Sequence, residues 1–468
     1  MPTPPRIDTA IEISPLTTLV RRVMERACPH SVIEEIFDRE CRPRQWNRKL
    51  TISAITWLML TVVSGVRRSV FAAFQADQGA NEPTILATAA ALYAKYGRID
   101  PAFTTAVVRE SAARMHAILT IEGPKGPTGW EGFQVPILDG TDLAGTEHRL
   151  KPLRGIKAAG LPGRYVAAYD LATGLVFDAV ASEDAYTSER VLVRSLLAKA
   201  VAGQIVVADR NFGTTEILFG IIDRQAHFVI RPHTSLRWRP LEEAKEVGRI
   251  ATGVVHEQRI EVEDTETGER RKIRRIILAL DTPTDEGDTE IVLLSNLEGI
   301  CPLRICVLDR DRWRIEQHFS LVKTVLHGEI EGLGRPRAAL FAMGMALVAA
   351  NALAVVKQTL RVTQGEEEFE KLSGYYLADE VTGHYRSVDK LVGEEEWLAL
   401  GAESPERFWG WCQAVGAQVR TKALHKHPRG PKKPQPPRTS GKDRHHYSTY
   451  RLLNPNSAVG IRLRATKA

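Results

Sequence analysis

The sequence predicts an α/β protein: a layered core, interrupted by a strand-rich insertion and flanked by helical regions. Three observations predict it. Between residues 131 and 232, short apolar runs alternate with amphipathic helical patterns. From 233 to about 300 the pattern becomes strands alone, and at 301–362 helical periodicity returns with a long apolar run. Residues 1–130 and 363–468 read as helical, the latter ending in a basic tail.

In the N-terminal region, helix-like patterns run through Leu16–Cys28, Ser31–Arg39, Lys49–Val66 and Pro83–Tyr96. Arg42, Arg44, Arg48, Lys49, Arg67 and Arg68 cluster between them, as in a small helical DNA-binding domain or on a solvated helical face. FQVPILDGTDL then reads as a short buried strand, and GRYVAAYDLATGLVFDAVAS as two strands around a glycine turn. SERVLVRSLLAKAV is an amphipathic helix, GQIVVADRNFG a buried strand ending at an acid, TEILFGIIDR a helix and AHFVIR a strand. Three meandering strands, a helix, a strand, a helix and a strand is the order of an RNase H-like core. VVHEQRIEVE, a DTETGE turn, RRKIRRIILAL and TEIVLLSNLEG form the inserted β-domain. The core resumes in a helix expected over about Leu303–Leu326.

Composition narrows the function classes. With 468 residues, 43% hydrophobic and 26% charged, the chain can bury a large core without disulfides. A net charge of +6 is compatible with a nucleic-acid partner. Cys28, Cys41, Cys301, Cys306 and Cys412 form no CxxC pair, which argues against a zinc module and for a reducing compartment. The first fifteen residues carry acids and no apolar run, so no secretory signal is expected. Ala338–Val356 is uncharged and near the length of a membrane span, but it is rich in small residues and contains Asn351. It is read as a buried core helix, with no membrane partner. The tail from Lys422 to Arg444 is too rich in proline and like charge to bury much. No GxSxG or P-loop sequence occurs, and His445-His446 lack metal-ligand spacing.

Three acids stand out by position. Asp139 ends the strand QVPILD and Asp209 ends IVVAD. Acids at strand ends project into the crevice beyond the carboxyl edge of an α/β sheet, though each could also be a turn former. On the following helix, Leu308, Ile315, Phe319, Val322 and Leu326 form one apolar stripe. Arg312, Glu316 and Lys323 form a second stripe within about 40° of one another. Alone, that stripe reads equally as an Arg–Glu helix pair and a solvated lysine.

DRDRWRIEQHFSLVK resembles the signature of bacterial insertion-sequence transposases of the DDE class, in which Tyr, Arg, Glu and Lys are separated by two, three and six residues. Arg312, Glu316 and Lys323 match; Asp309 stands at the tyrosine position. LDGTDL resembles the family's first-aspartate motif and VVADRNFG its second, and the strand-rich insertion is a feature of the same branch. The likeness covers about residues 130–360.

The resemblance implies a cut-and-paste DNA transposase that cleaves at terminal inverted repeats and joins the freed 3′-hydroxyl to target DNA, with hairpin ends as one route of excision. It implies Asp139, Asp209 and Glu316 as ligands of two Mg²⁺ ions, with Mn²⁺ as a substitute. Arg312 and Lys323 are expected to hold DNA phosphates, with Arg210 and Asn211 as further DNA contacts. Trp238 would stack on an unpaired base, or else serve packing alone. A homodimer on double-stranded DNA and a cytoplasmic, nucleoid-associated location follow. The alternative is a decayed or domesticated transposase that binds DNA without cleaving it. A glycosidase-like pair of acids would require neither the Arg–Glu–Lys face nor the basic tail.

Overall fold

The computed structural model of the protein describes residues 5–41, 49–121, 130, 132–143, 160–284, 287–399, 403–427, 430 and 447–454. The first part is helical: α1 (Pro5–Ile13), α2 (Pro15–Ala27), α3 (His30–Glu40), α4 (Ile52–Val63), α5 (Val70–Gln78), α6 (Ala89–Tyr96) and α7 (Pro101–Leu119). Ser14, Thr51, Ser69, Thr88 and Asp100 each accept a hydrogen bond from an early N–H of the helix they precede. Pro15 and Pro101 occupy first-turn positions where no donor is needed. Of the basic cluster expected here, Arg42, Arg44 and Arg48 lie outside the described residues.

Eleven strands follow: β1 (Pro136–Asp142), β2 (Gly160–Leu161), β3 (Arg164–Asp170), β4 (Val176–Ser182), β5 (Ile205–Ala208), β6 (His227–Ile230), β7 (Arg237–Pro240), β8 (Lys245–Ile250), β9 (Gly253–Glu263), β10 (Arg270–Leu280) and β11 (Glu290–Ser295). Helix α8 (Glu189–Leu197) precedes β5, and α9 (Thr215–Asp223) precedes β6. All but β2 join one mixed sheet in the order β4-β3-β1-β5-β6-β11-β10-β9-β7, with β8 also on β9. β1 lies antiparallel to β3 and parallel to β5, and β6 is parallel to β5. β11 pairs antiparallel with β6 through Leu294↔Ile230, so the segment after β6 continues the core sheet and covers what would otherwise be an open edge. The DTETGE stretch forms the β9–β10 turn: Asp264 accepts from the N–H groups of Glu266 and Thr267, and Gly268 takes a φ of 74°.

The remaining helices are α10 (Pro302–Asp311), α11 (Trp313–Ser320), α12 (Pro336–Gln364), α13 (Glu366–Lys371), α14 (Gly374–Leu391), α15 (Glu394–Ala399), α16 (Pro405–Gly416) and α17 (Thr449–Leu453). Helix α12 is long and apolar enough to cross a membrane, yet its apolar stretch is almost wholly buried inside the protein. Its one polar residue in that run, Asn351, exchanges two hydrogen bonds of 2.8 Å with the backbone of Val176 and so fastens α12 to β4. At Gly344 a side chain would collide with Thr104, which shows how closely α7 and α12 approach. Helix α2 packs against α7, α12, α14 and α16. Arg21 is held between Trp57 (4.5 Å) and Trp397 (5.2 Å), so helices from both ends of the chain share one interior. Residues Tyr447–Ser448 pair with β2, and 431–446 of the basic tail lie outside the described residues.

Candidate active site

Side-chain alternation along β1 and β5 builds the site. Ile137 and Val207 belong to the interior shared with α11 and α12; Leu138 and Ala208 belong to the interior on the α8 and α9 side. The next residues, Asp139 and Asp209, therefore share the first of these faces. Leu138↔Ala208 is the last pair of the parallel ladder, so the two aspartates stand one step beyond it on neighbouring strands. The sequence places Asp139 at a strand end, whereas in the structure it is mid-strand. β1 stays paired to β3 as far as Asp142↔Arg164 after its pairing to β5 has stopped. Asp209 is also a turn former: its Oδ1 accepts from the Asn211 N–H at 2.9 Å and caps a short 3₁₀ turn over Arg210–Phe212.

The third acid comes from the facing helices. The single helix predicted over Leu303–Leu326 is interrupted at Arg312 and ends in a π-helical turn, Leu321–Val325. Leu308, Ile315, Phe319, Val322 and Leu326 are nevertheless all buried, as their spacing requires. The π turn is wider than an α turn, so a uniform 100° step does not carry through to Lys323. Arg312 pairs with Glu316 at 2.8 Å. Lys323 donates to the carbonyl of Asp142, at the end of β1, and pairs with Glu329 at 3.0 Å.

The electrostatics single out Asp139. Burial pushes its carboxyl up to about 7, and the charges of Asp209 and Glu316 add to the rise, against the Gly140 N–H and Arg312. A half-buried carboxyl with acidic neighbours is short of positive charge, and an oxygen-only donor set suits a hard divalent cation. Among the described residues, however, no three acids, histidines or cysteines already stand together as a metal-binding group. Glu316 is engaged by Arg312 instead.

Beside these acids, a cleft of about 370 Å³ lies between the ends of β5 and β6 and strands β7 and β11, lined by Arg210, Arg231, His233, Trp238 and Asp288 among others. Arg210 is exposed and makes no ion pair among the described residues. Trp238 is 42% exposed on β7, with the Arg275 guanidinium 4.9 Å from its ring centre. Asn211 is engaged within the protein, donating to Glu189 at 2.6 Å and accepting from Arg190 at 3.3 Å. Burial raises the pKa of Glu189, and Arg164 and Asn211 oppose the rise.

Arg231 is a site residue that sequence reasoning missed. Its guanidinium meets Asp309 at 2.7 Å and 3.4 Å. Burial alone would lower the Arg231 pKa, but the hydrogen bond and charge of Asp309 outweigh it, and Asp209 and Asp288 add to the rise. The acid at the tyrosine position of the signature is thus buried and neutralised. The signal was available: Arg231 stands one residue past an apolar strand, as Asp209 does.

Fold and site together describe an α/β protein with acids at the carboxyl edge of a mixed sheet, arginines around them and an adjoining cleft. Residues 130–352 match the family model of the transposase DDE domain, which supports a DDE-type transposase. The matched span runs from just before β1 into α12 and contains Asp139, Asp209, Arg312, Glu316 and Lys323. No curated protein matches the chain.

Proposed function

We propose that the protein is an active DNA transposase with an RNase H-like core, in which Asp139, Asp209 and Glu316 hold two Mg²⁺ ions. The observation that carries this reading is the placement of Asp139 and Asp209 side by side beyond the last β1–β5 pair, facing the helix that bears Glu316. The strand order β4-β3-β1-β5-β6 supports the RNase H-like core, and the strands from β7 to β11 support an insertion between its second and third acids. Bound metals would supply an activated water or 3′-hydroxyl and charge stabilisation of the leaving oxygen.

The chain's own residues bind and orient. With its carboxyl raised to about 7, Asp139 carries a proton below neutral pH in the metal-free protein and would give it up in holding a cation. Arg312 is shared between Glu316 and incoming phosphate, so DNA binding frees Glu316 for the site. Lys323 at the end of β1 and Arg210 in the cleft steady the backbone on either side of the scissile bond. Trp238 stacks on a base displaced into the cleft. The DNA is the element's terminal inverted repeats and then target DNA, bound by a homodimer, with cut-and-paste excision.

A second reading, a DNA-binding protein that has lost cleavage, draws on the Glu316–Arg312 pair and the lack of a preassembled metal group among the described residues. Cleavage of DNA flanking the gene, with Mg²⁺ or Mn²⁺, decides between them. Metal-dependent nicking at the repeat ends supports the first reading; binding without nicking supports the second.

A further inference from the structure

Helix α8 lies on the sheet face opposite Glu316, and its first residue touches the chain one residue after Asp139 and two residues after Asp209. Gly140 follows Asp139, and any β-carbon there would collide with the Glu189 carboxylate, which therefore rests directly on the β1 backbone. On the other strand, Glu189 Oε2 accepts from the Asn211 side chain at 2.6 Å. The amide oxygen of Asn211 accepts from Arg190 at 3.3 Å, so the first two residues of α8 fix both ends of this amide. The Asn211 N–H in turn holds the Asp209 carboxylate at 2.9 Å. Glu189 is itself seated by Arg164, 3.9 Å from its Oε1, and Arg164 is clamped to Asp142 at 2.6 Å and 3.0 Å. One carboxylate thus bridges the backbone after Asp139 and the turn that orients Asp209.

We propose that Glu189 is a positioning residue that sets the relative placement of Asp139 and Asp209 through Gly140 and Asn211. The inference rests on the proposed metal site. Partners behind a ligand are worth roughly 10- to 100-fold in metal affinity, and an effect of that size is expected here.

The test is Mn²⁺ binding to the full-length protein, followed by electron paramagnetic resonance and by the rise in melting temperature on adding Mn²⁺. Glu189→Ala and Asn211→Ala should each weaken binding by about 10- to 100-fold. The double variant should be little worse than either single, because both break one linkage. Gly140→Ala should reproduce the defect by pushing Glu189 away. Glu189→Gln keeps an acceptor for Asn211 and should recover most of the affinity, which a role in folding alone would not require. Wild-type Mn²⁺ affinity in folded Glu189→Ala or Asn211→Ala overturns the proposal. Asp209→Asn is the control: if it too binds Mn²⁺ like wild type, the metal-site reading itself fails. If it loses binding while the Glu189 and Asn211 variants keep it, only the positioning role fails.

Discussion

The two halves of the sheet are built on different rules. In the first half, β3 and β5 are buried almost throughout and their sequences, RYVAAYD and IVVA, are nearly continuous apolar runs with helices on both faces. In the second half, β7 is exposed along its length and β9 alternates buried with half-buried residues, as GVVHEQRIEVE dictates. Charges there are met across the strands, as in Arg239–Glu261 (2.7 Å), Arg270–Glu263 (3.3 Å) and Arg274–Glu257 (2.6 Å). The first half can hold a carboxylate away from water; the second neutralises its charges where they stand. The exposed Arg210, which makes no ion pair among the described residues, lies at the junction, in the cleft.

The largest test of this contrast is cleavage. Asp139→Asn, Asp209→Asn or Glu316→Gln should lower strand cleavage by ~10³-fold or more, with DNA binding largely intact. Trp238→Ala, on the second half, should lower it by ~10-fold or less. A triad variant that cleaves at full rate removes that residue from the site.

The same kind of ion pair should also differ in worth between the halves. Asp309 is 4% exposed and its partner Arg231 29%. Arg231→Gln leaves a buried carboxylate unpaired and should cost ~3–5 kcal/mol in urea unfolding. Arg239, 63% exposed, pairs on the second half, and Arg239→Gln should cost under ~1 kcal/mol. Equal costs would erase the distinction drawn from burial.

A smaller effect concerns pH. Because the Asp139 carboxyl is raised to about 7, the folded state binds its proton more tightly than the unfolded chain does. Its contribution is complete below about pH 4, the unfolded value, and is lost as pH rises through about 7. Metal-free protein should therefore weaken over that interval. Asp139→Asn should flatten the trend and be ~1–2 kcal/mol more stable than wild type at pH 8. Urea titrations in chelator at several pH values measure this, and a wild-type stability that climbs with pH in parallel for both proteins would refute it.

The smallest expected change is in salt dependence. Arg312→Ala should reduce the log–log slope of DNA binding by about one unit. Lys323→Ala should change it less, since Lys323 is already committed to Glu329 and to the Asp142 carbonyl. An unchanged slope for Arg312→Ala leaves its bond to Glu316 as a helix-stabilising pair only.

Much of this was legible in one dimension. Continuous apolar runs such as IVVA determine buried strands because only a two-sided sheet hides every side chain. The 7, 4, 3 and 4 spacing from Leu308 to Leu326 determines which helix face is buried. The signature around Glu316 and the two aspartate motifs picked out the acids. Asn351 in an apolar run was readable as unusual, but not its two bonds to Val176. Three other facts came only from the folded chain. The Arg231–Asp309 pair joins residues 78 positions apart. Glu189 on Gly140 and Asn211 depends on how α8 seats against the edge of β1. The break at Arg312 and the π turn are seen only in the folded chain, where the π turn packs against α12 and α14. Periodicity is a local property of a repeating backbone, so sequence determines it directly. Which charge meets which depends on where separate elements come to rest, and only the packed interior decides that.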